Sequence, residues 1–210
     1  MKRRHRPLDQ HAPVRLEQSR RERAAIMVEA VMVFPILIVM MMGSLEFGMA
    51  FRDSTTVATA LRASARTAAT QGNDGSADYY SLQALKAGLS GIPTAAIGRI
   101  VVYNATTNSA PDPTCLSMTA PGGQTGTRAC NVYTAASFSL ASTSFSSTAT
   151  GSCPATAVDR YFCPLTRKVV QATGTDYVGV YIKVRHDFVT RLFGANLTIT
   201  DKLIVRLEPL

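Results

Sequence analysis

Few side chains in this 210-residue sequence have a type and spacing suited to chemistry, and the first is an acid set in apolar surroundings. Glu29 lies within AAIMVEAVMVFPILIVMMMGSLEFG, Ala24 to Gly48, where the only other charge is Glu46 near the far end. A carboxylate at the centre of a lipid-spanning helix costs about 2.5–3.5 kcal/mol, and less near an end, so an acid placed there calls for a positive partner. An amine on a neighbouring subunit would serve. The competing reading puts Glu29 at headgroup level, favoured by the positive helix N-terminus. Glu46 is expected at the membrane interface.

The next candidates are Cys115, Cys130, Cys153 and Cys163, all C-terminal to the apolar run. An even number confined to one side of it points to two disulfides in an oxidising compartment. Of the three possible pairings, the local ones are favoured, Cys115 with Cys130 and Cys153 with Cys163, because each pins one loop. No two of these cysteines form a CxxC pair and no histidine lies among them, so a zinc site is not expected. His186, the one histidine beyond the apolar run, precedes Asp187. Without a G-x-S-x-G nucleophile or a metal-ligand cluster it reads as structural, at the end of a strand. No phosphate-cradling G-x-x-x-x-G-K is present. No catalytic, cofactor-binding or metal-binding residues are therefore expected.

These residues depend on a long helix for their placement. Ala30 to Leu45 carries no charge and spans about 24 Å, and Ala24 to Gly48 spans about 37 Å. That length crosses a hydrocarbon core of about 30 Å. The preceding tail, residues 1–23, holds eight basic and three acidic residues, net +5. Such a tail is expected to stay in the cytoplasm with the long C-terminal part exported, a topology signal and not a nucleic-acid site. The formal charge of the whole chain, +8, gets the same reading. A cleaved secretory signal ending at Gly48-Met49-Ala50 is the rival, but the apolar core is too long for one and Glu29 interrupts it. Pro35 deprives the carbonyl of Val31 of its amide donor, which predicts a kink near Val31.

Beyond Gly48 the helical pattern continues through Val57, Leu61, Ala65 and Ala68, until Gln71-Gly72-Asn73-Asp74-Gly75 breaks it. A second helix is expected from Ala77 to Leu89, and Arg99 to Tyr103 reads as a strand. Residues 104–160 are rich in Ser, Thr, Ala, Gly and Pro, and are expected to form irregular loops, with at most short strands, held by the disulfides. Order returns in YVGVYIKVRH, where Val178, Val180, Ile182 and Val184 alternate with exposed types, and in LTITDKLIVRL. The two strands should pair antiparallel, joined through FVTRLFGAN, with Arg99 to Tyr103 in the same sheet. The fold class is α+β: a long N-terminal transmembrane helix extending into a small antiparallel β-sheet ectodomain, with disulfide-stabilised loops. The expected organisation is a basic cytoplasmic tail at 1–23, a transmembrane helix at 24–48, its extension at 49–72, and an extracytoplasmic domain at 73–210. Within the last, a Ser/Thr/Ala-rich disulfide region occupies 104–163.

RRERAAIMVEAVMVFPILIVMMMGSLEFGMAF, Arg20 to Phe51, resembles the N-terminal signature of TadE-like proteins, minor pilin-like components of the tight adherence (Tad) pilus machinery. The features are the arginines, two small residues, the acid Glu29, Pro35 six positions on, and a closing Glu46-Phe47-Gly48. Further resemblance lies in HDFVTRLFG and in the terminal VRLEPL. The resemblance implies a pseudopilin-like part of a pilus assembly and secretion apparatus, in the bacterial inner membrane or built into the fibre. It also implies cleavage by a prepilin peptidase between Ala24 and Ala25, which makes Glu29 the fifth residue of the mature chain and a docking acid between subunits. The sequence departs from the pattern at Ala24, where glycine is usual, and at Ala30, where an aromatic residue often follows the acid. The implied partners are the membrane, other pilin-like and pilus assembly proteins, and the peptidase. The function expected is non-enzymatic pilus assembly; the alternative is a single-pass membrane-anchored envelope binding protein unrelated to pili.

Overall fold

The computed structural model describes residues 12–170 and 174–208. Residues 1–11 of the basic tail therefore lie outside the described residues, as does the end of VRLEPL. The chain divides after Phe47 into two units. Helix α1, Ala12–Gln71, runs through both, and Pro35 lies inside it.

In the first unit the described part of α1 is built from Ile, Met, Val, Leu and Phe. Their side chains are exposed, from Val31 at 72% to Met42 at 36%.

In the second unit α1 has a buried stripe. Val57, Leu61, Ala65 and Ala68 recur at helical spacing and are all at most 1% exposed, which is the pattern of a helix with one face in a core. The helix ends where Gly72 takes a left-handed conformation, φ 53°, and its N–H donates to Ala68 O at 3.3 Å. Such a position strongly favours glycine. Helix α2, Ala77–Gly88, then packs back on α1. The approach is close: the hydroxyls of Ser64 and Ser81 hydrogen-bond at 2.8 Å in a buried setting. A methyl group added at Gly88 would lie 2.6 Å from Ala60 Cβ. Small residues at these positions are what let two helices meet without voids.

The strands are β1 (Ile97–Asn104), β2 (Gly122–Gln124), β3 (Cys130–Tyr133), β4 (Tyr177–Asp187) and β5 (Asn196–Arg206). They form one sheet in the order β2-β3-β1-β4-β5, with every neighbouring pair antiparallel. The α+β class with a small antiparallel sheet is thus observed. Strand β4 pairs with β5 throughout its length, from Tyr177 opposite Arg206 to Asp187 opposite Asn196. Its alternation is the reason: Val178, Val180, Ile182 and Val184 are buried while Lys183 and Arg185 are exposed, so one face belongs to the core. Strand β1 is longer than the expected Arg99 to Tyr103, and a register shift separates Ile97 from Arg99.

The core lies on one face of the sheet, where Ile100, Val102, Val180 and Ile182 join the buried stripe of α1 and Leu82 and Leu85 of α2. The opposite face carries a smaller cluster of Val101, Tyr103, Ala105, Cys115, Cys130 and Val132. The region expected as loops at 104–160 supplies more than loops. It contributes β2, β3, the short helix α3 (Pro113–Ser117) and two 3₁₀ turns, Ala135–Ser139 and Ser142–Ser144. It also sends Tyr133, Phe138 and Phe145 into the main core. Four apolar anchors, counting Phe162 just beyond, suffice here because buried polar side chains are joined to one another, as described next.

Candidate functional site

Ala24, Ala25, Glu29 and Pro35 all lie on α1 with exposed side chains. The most apolar 18-residue window of this helix has a mean hydropathy of 2.5, and none of it is buried. By length and composition the helix can cross a membrane. Apolar residues exposed on every side of a helix, including Phe34 at 64% and Ile36 at 61%, call for a cover that the described residues do not supply. Glu29 is exposed among them and meets no partner among the described residues. Glu46, expected at a wet interface, is 1% exposed.

The second unit contains the more elaborate polar chemistry, and it is inward. Asp78 in α2 is buried, and its side chain receives three donors: Arg167 Nη2 at 2.7 Å, Asn131 Nδ2 at 2.8 Å and the Tyr133 hydroxyl at 2.8 Å. Both members of the Asp78–Arg167 ion pair have fully buried side chains. Arg167 Nη2 also donates to the carbonyl of Phe162 at 2.9 Å, and the guanidinium lies 4.3 Å from the centre of the Phe162 ring. Asn131 completes the joint by donating to the carbonyls of Asp159 and Phe162 and accepting from the Phe162 N–H at 2.9 Å. Burial pushes the Tyr133 hydroxyl well above its ordinary pKa, with the nearby carboxylates acting in the same direction.

Asp159 belongs to the same cluster. The Ser146 hydroxyl donates to its carboxylate at 2.7 Å and the Ser146 N–H at 3.1 Å. Burial, then the field of Asp78, nevertheless raises its pKa to about 6. An acid poised near neutrality is a common sign of catalysis. Here the side chain is buried, its carboxylate is held by Ser146, and burial is the largest cause of the shift. Among the described residues no cluster of histidine, cysteine and carboxylate side chains suits a metal ion.

Two disulfides tie the same region together, Cys115–Cys130 with S–S 2.06 Å and Cys153–Cys163 with S–S 2.02 Å, and no described cysteine is free. The first joins α3 to β3 on the outer face of the sheet. There Arg99 Nη1 donates to the carbonyls of Cys115 and Met118 at 2.9 and 2.7 Å, and Arg128 pairs with Asp112 at 2.7 Å. The Arg128 guanidinium, first among the causes, holds the Asp112 carboxyl at about 2. The Tyr103 ring packs over Gly179, where an added methyl group would lie 2.1 Å from the ring. Burial pushes the Tyr103 hydroxyl up to about 12.

His186 proves to be paired, but not with its sequence neighbour. Its Nδ1 lies 2.7 Å from Asp53 Oδ2 on α1, and the ring meets Phe188 edge-on at 5.4 Å. Asp187 pairs instead with Arg185 at 2.9 Å. The evident effect of the His186–Asp53 pair is to fasten the end of β4 to the helix. The sequence pattern places His186 at the end of a strand but does not reveal its partner, which is 133 residues away in the chain.

Comparison with known proteins adds one finding. The family described as TadE-like protein matches residues 24–66, the stretch holding Glu29, Pro35, Glu46-Phe47-Gly48 and the start of the buried stripe. The resemblance read in Arg20 to Phe51 is therefore borne out over the helix. HDFVTRLFG and VRLEPL lie outside the match. No curated protein and no solved structure matches the chain.

Proposed function

We propose that this chain, TadE-like in its helix, is a non-enzymatic, membrane-anchored pseudopilin-like component of Tad-type pilus assembly and secretion. The single observation that carries the reading is the bare apolar surface of α1, uncovered within the described chain and lying in the segment that matches the family. A helix of this kind has two natural covers, lipid before assembly and the helices of other pilin-like subunits after it. The basic tail, by its charge, stays on the cytoplasmic side, and the C-terminal unit with its two disulfides lies outside. The membrane is then the inner membrane of a bacterium.

Glu29 acts at the transition between the two covers. Cutting between Ala24 and Ala25 creates a new amine four residues before the acid. A carboxylate in lipid gains from pairing with such an amine on a neighbouring subunit, because the alternative is an unpaired charge in a medium of low dielectric. Pro35, by freeing the Val31 carbonyl, gives the helix a flexible point between the acid and the domain.

Replacing Glu29 with Gln tests this reading. The variant keeps the size and much of the hydrogen bonding while lowering the cost of insertion, so it should reach the membrane at wild-type level and yet fail to support pili. N-terminal sequencing of the membrane-extracted wild-type protein should begin at Ala25. Normal pili from Glu29→Gln at normal protein level would remove the docking role and leave Glu29 at the headgroups.

A further inference from the structure

The connection between β4 and β5 carries apolar side chains that the fold leaves outside. Val189 is 75% exposed, Leu192 52% and Phe193 46%, and Leu197 at the start of β5, opposite His186, is 42%. The tip has the glycine that a turn uses, Gly194 at φ 121°, but it carries more bulky apolar residues than a turn needs. Arg191 also stands in a left-handed conformation, φ 58°, where glycine or asparagine would be less strained. Exposed apolar side chains with a cation among them mark a contact surface.

Where this surface points follows from two fastenings within the C-terminal unit. At the start of the β4–β5 pair, Leu207 N–H donates to Asp176 O, and the next residue, Glu208, donates to Ala69 O near the end of α1. At the other end, His186 Nδ1 meets Asp53 Oδ2. Strand β4 therefore runs antiparallel to α1, from the level of Ala69 toward the level of Asp53. Beyond His186 the hairpin continues for three residues to Val189, a reach of about 10 Å at roughly 3.3 Å per residue. Phe51 lies only about 3 Å before Asp53 along the helix. The tip thus extends past the level of Phe51, itself 72% exposed, where the apolar run of α1 gives way to Arg52 and Asp53.

We propose that the tip of the β4–β5 hairpin, Val189 to Leu197, is a second membrane contact that inserts into the lipid headgroup region beside α1. This rests on the reading of α1 as a membrane helix. Lipid is the occupant that fits: the tip reaches the level at which the helix leaves its apolar stretch. Segments lying in the interface bury apolar side chains about 5–10 Å deep, matching that reach. Arg191 sits among the apolar residues as a phosphate-directed cation does in such segments.

The experiment uses the full chain with its disulfides intact, reconstituted in vesicles of phosphatidylcholine and phosphatidylglycerol. Single spin labels are attached at Val33→Cys in the apolar run, at Leu192→Cys in the tip and at Tyr177→Cys, an exposed site at the opposite end of β4. Collisions with oxygen, which partitions into lipid, are compared with those with a water-soluble nickel chelate. The expected result is oxygen-dominated collisions at Val33, a shift toward oxygen at Leu192, and nickel-dominated collisions at Tyr177. Nickel access at Leu192 equal to that at Tyr177, with Val33 in lipid, overturns the hairpin contact and leaves the membrane helix standing. A Leu192 label shielded from both reagents also overturns it and assigns the tip to a neighbouring protein. A nickel-accessible Val33 overturns the membrane helix itself.

Discussion

The two halves of helix α1 obey different rules although the chain makes them one element. From Ile26 to Met42 the apolar side chains are bulky and bare, as with Phe34 at 64% exposure; after Gly48 those facing the core are smaller and covered, as with Leu61 at 1% and Ala65 at 0%. On the outer side of the second half, Thr55, Thr56, Thr59 and Thr67 bond back to carbonyls three or four residues earlier, satisfying their hydroxyls without any tertiary partner. One half is thus built for surroundings that the chain does not provide, and the other for a core that it does. The stability of the C-terminal unit should accordingly depend on its own buried joints and be indifferent to the apolar half. That difference can be broken or sharpened in detergent-solubilised protein by following unfolding through the tyrosines, since the chain has no tryptophan.

The largest effect is expected at Asp78. Asp78→Ala leaves Arg167 charged and buried, and takes the acceptor from Asn131 and Tyr133. Removing one partner of a buried ion pair typically costs about 3–5 kcal/mol. Chemical denaturation should show a loss of that order. A loss below about 1 kcal/mol, the scale of a surface pair, would mean that the pair is solvated and the joint is not what orders the middle region.

A smaller effect should separate the two halves directly. Leu61→Ala empties a buried site and is expected to cost about 3 kcal/mol. Phe34→Ala removes a larger side chain from the same helix but should change the unfolding of the C-terminal unit by less than about 0.5 kcal/mol, as exposed substitutions do. Equal costs for the two would show that the bare half supports the domain after all.

How much of this was legible in the sequence follows the same division. The long helix, Glu29 within it and the alternation of β4 and β5 are local patterns, and each could be read from a short window. The middle region could not, because what orders it is contact across distance: Asp78 with Arg167 across 89 residues and Asn131 with Asp78 across 53. Nothing local marks Asn131 or Ser146 as buried, and a Ser/Thr-rich composition argues against a core. FVTRLFGAN joins β4 to β5 as its sequence suggests, but the side to which it points is not legible in it, because the direction of a loop depends on where both ends of its strands are tied.

The smallest effect concerns pH, and it distinguishes a buried acid from an exposed one. The Asp159 pKa is raised in the folded protein to about 6 from an ordinary 3.8, so the fold holds its proton more tightly than the unfolded chain. Stability arising from this group is complete below about pH 3.8 and is lost as pH rises through 6. Asp112 runs the opposite way, its carboxyl held at about 2, so its contribution is present above 3.8 and fades as pH falls toward 2. The windows do not overlap, which makes the region between pH 4 and 6.5 informative about Asp159. Asp159→Asn keeps an acceptor for the Ser146 N–H and hydroxyl but cannot ionise. The difference in melting temperature between variant and wild type should therefore move in favour of the variant as pH rises from 4 to 6.5, then level off. A constant difference across that range would show that the folded protein does not raise the pKa of Asp159, and that water reaches the joint which the fold otherwise closes.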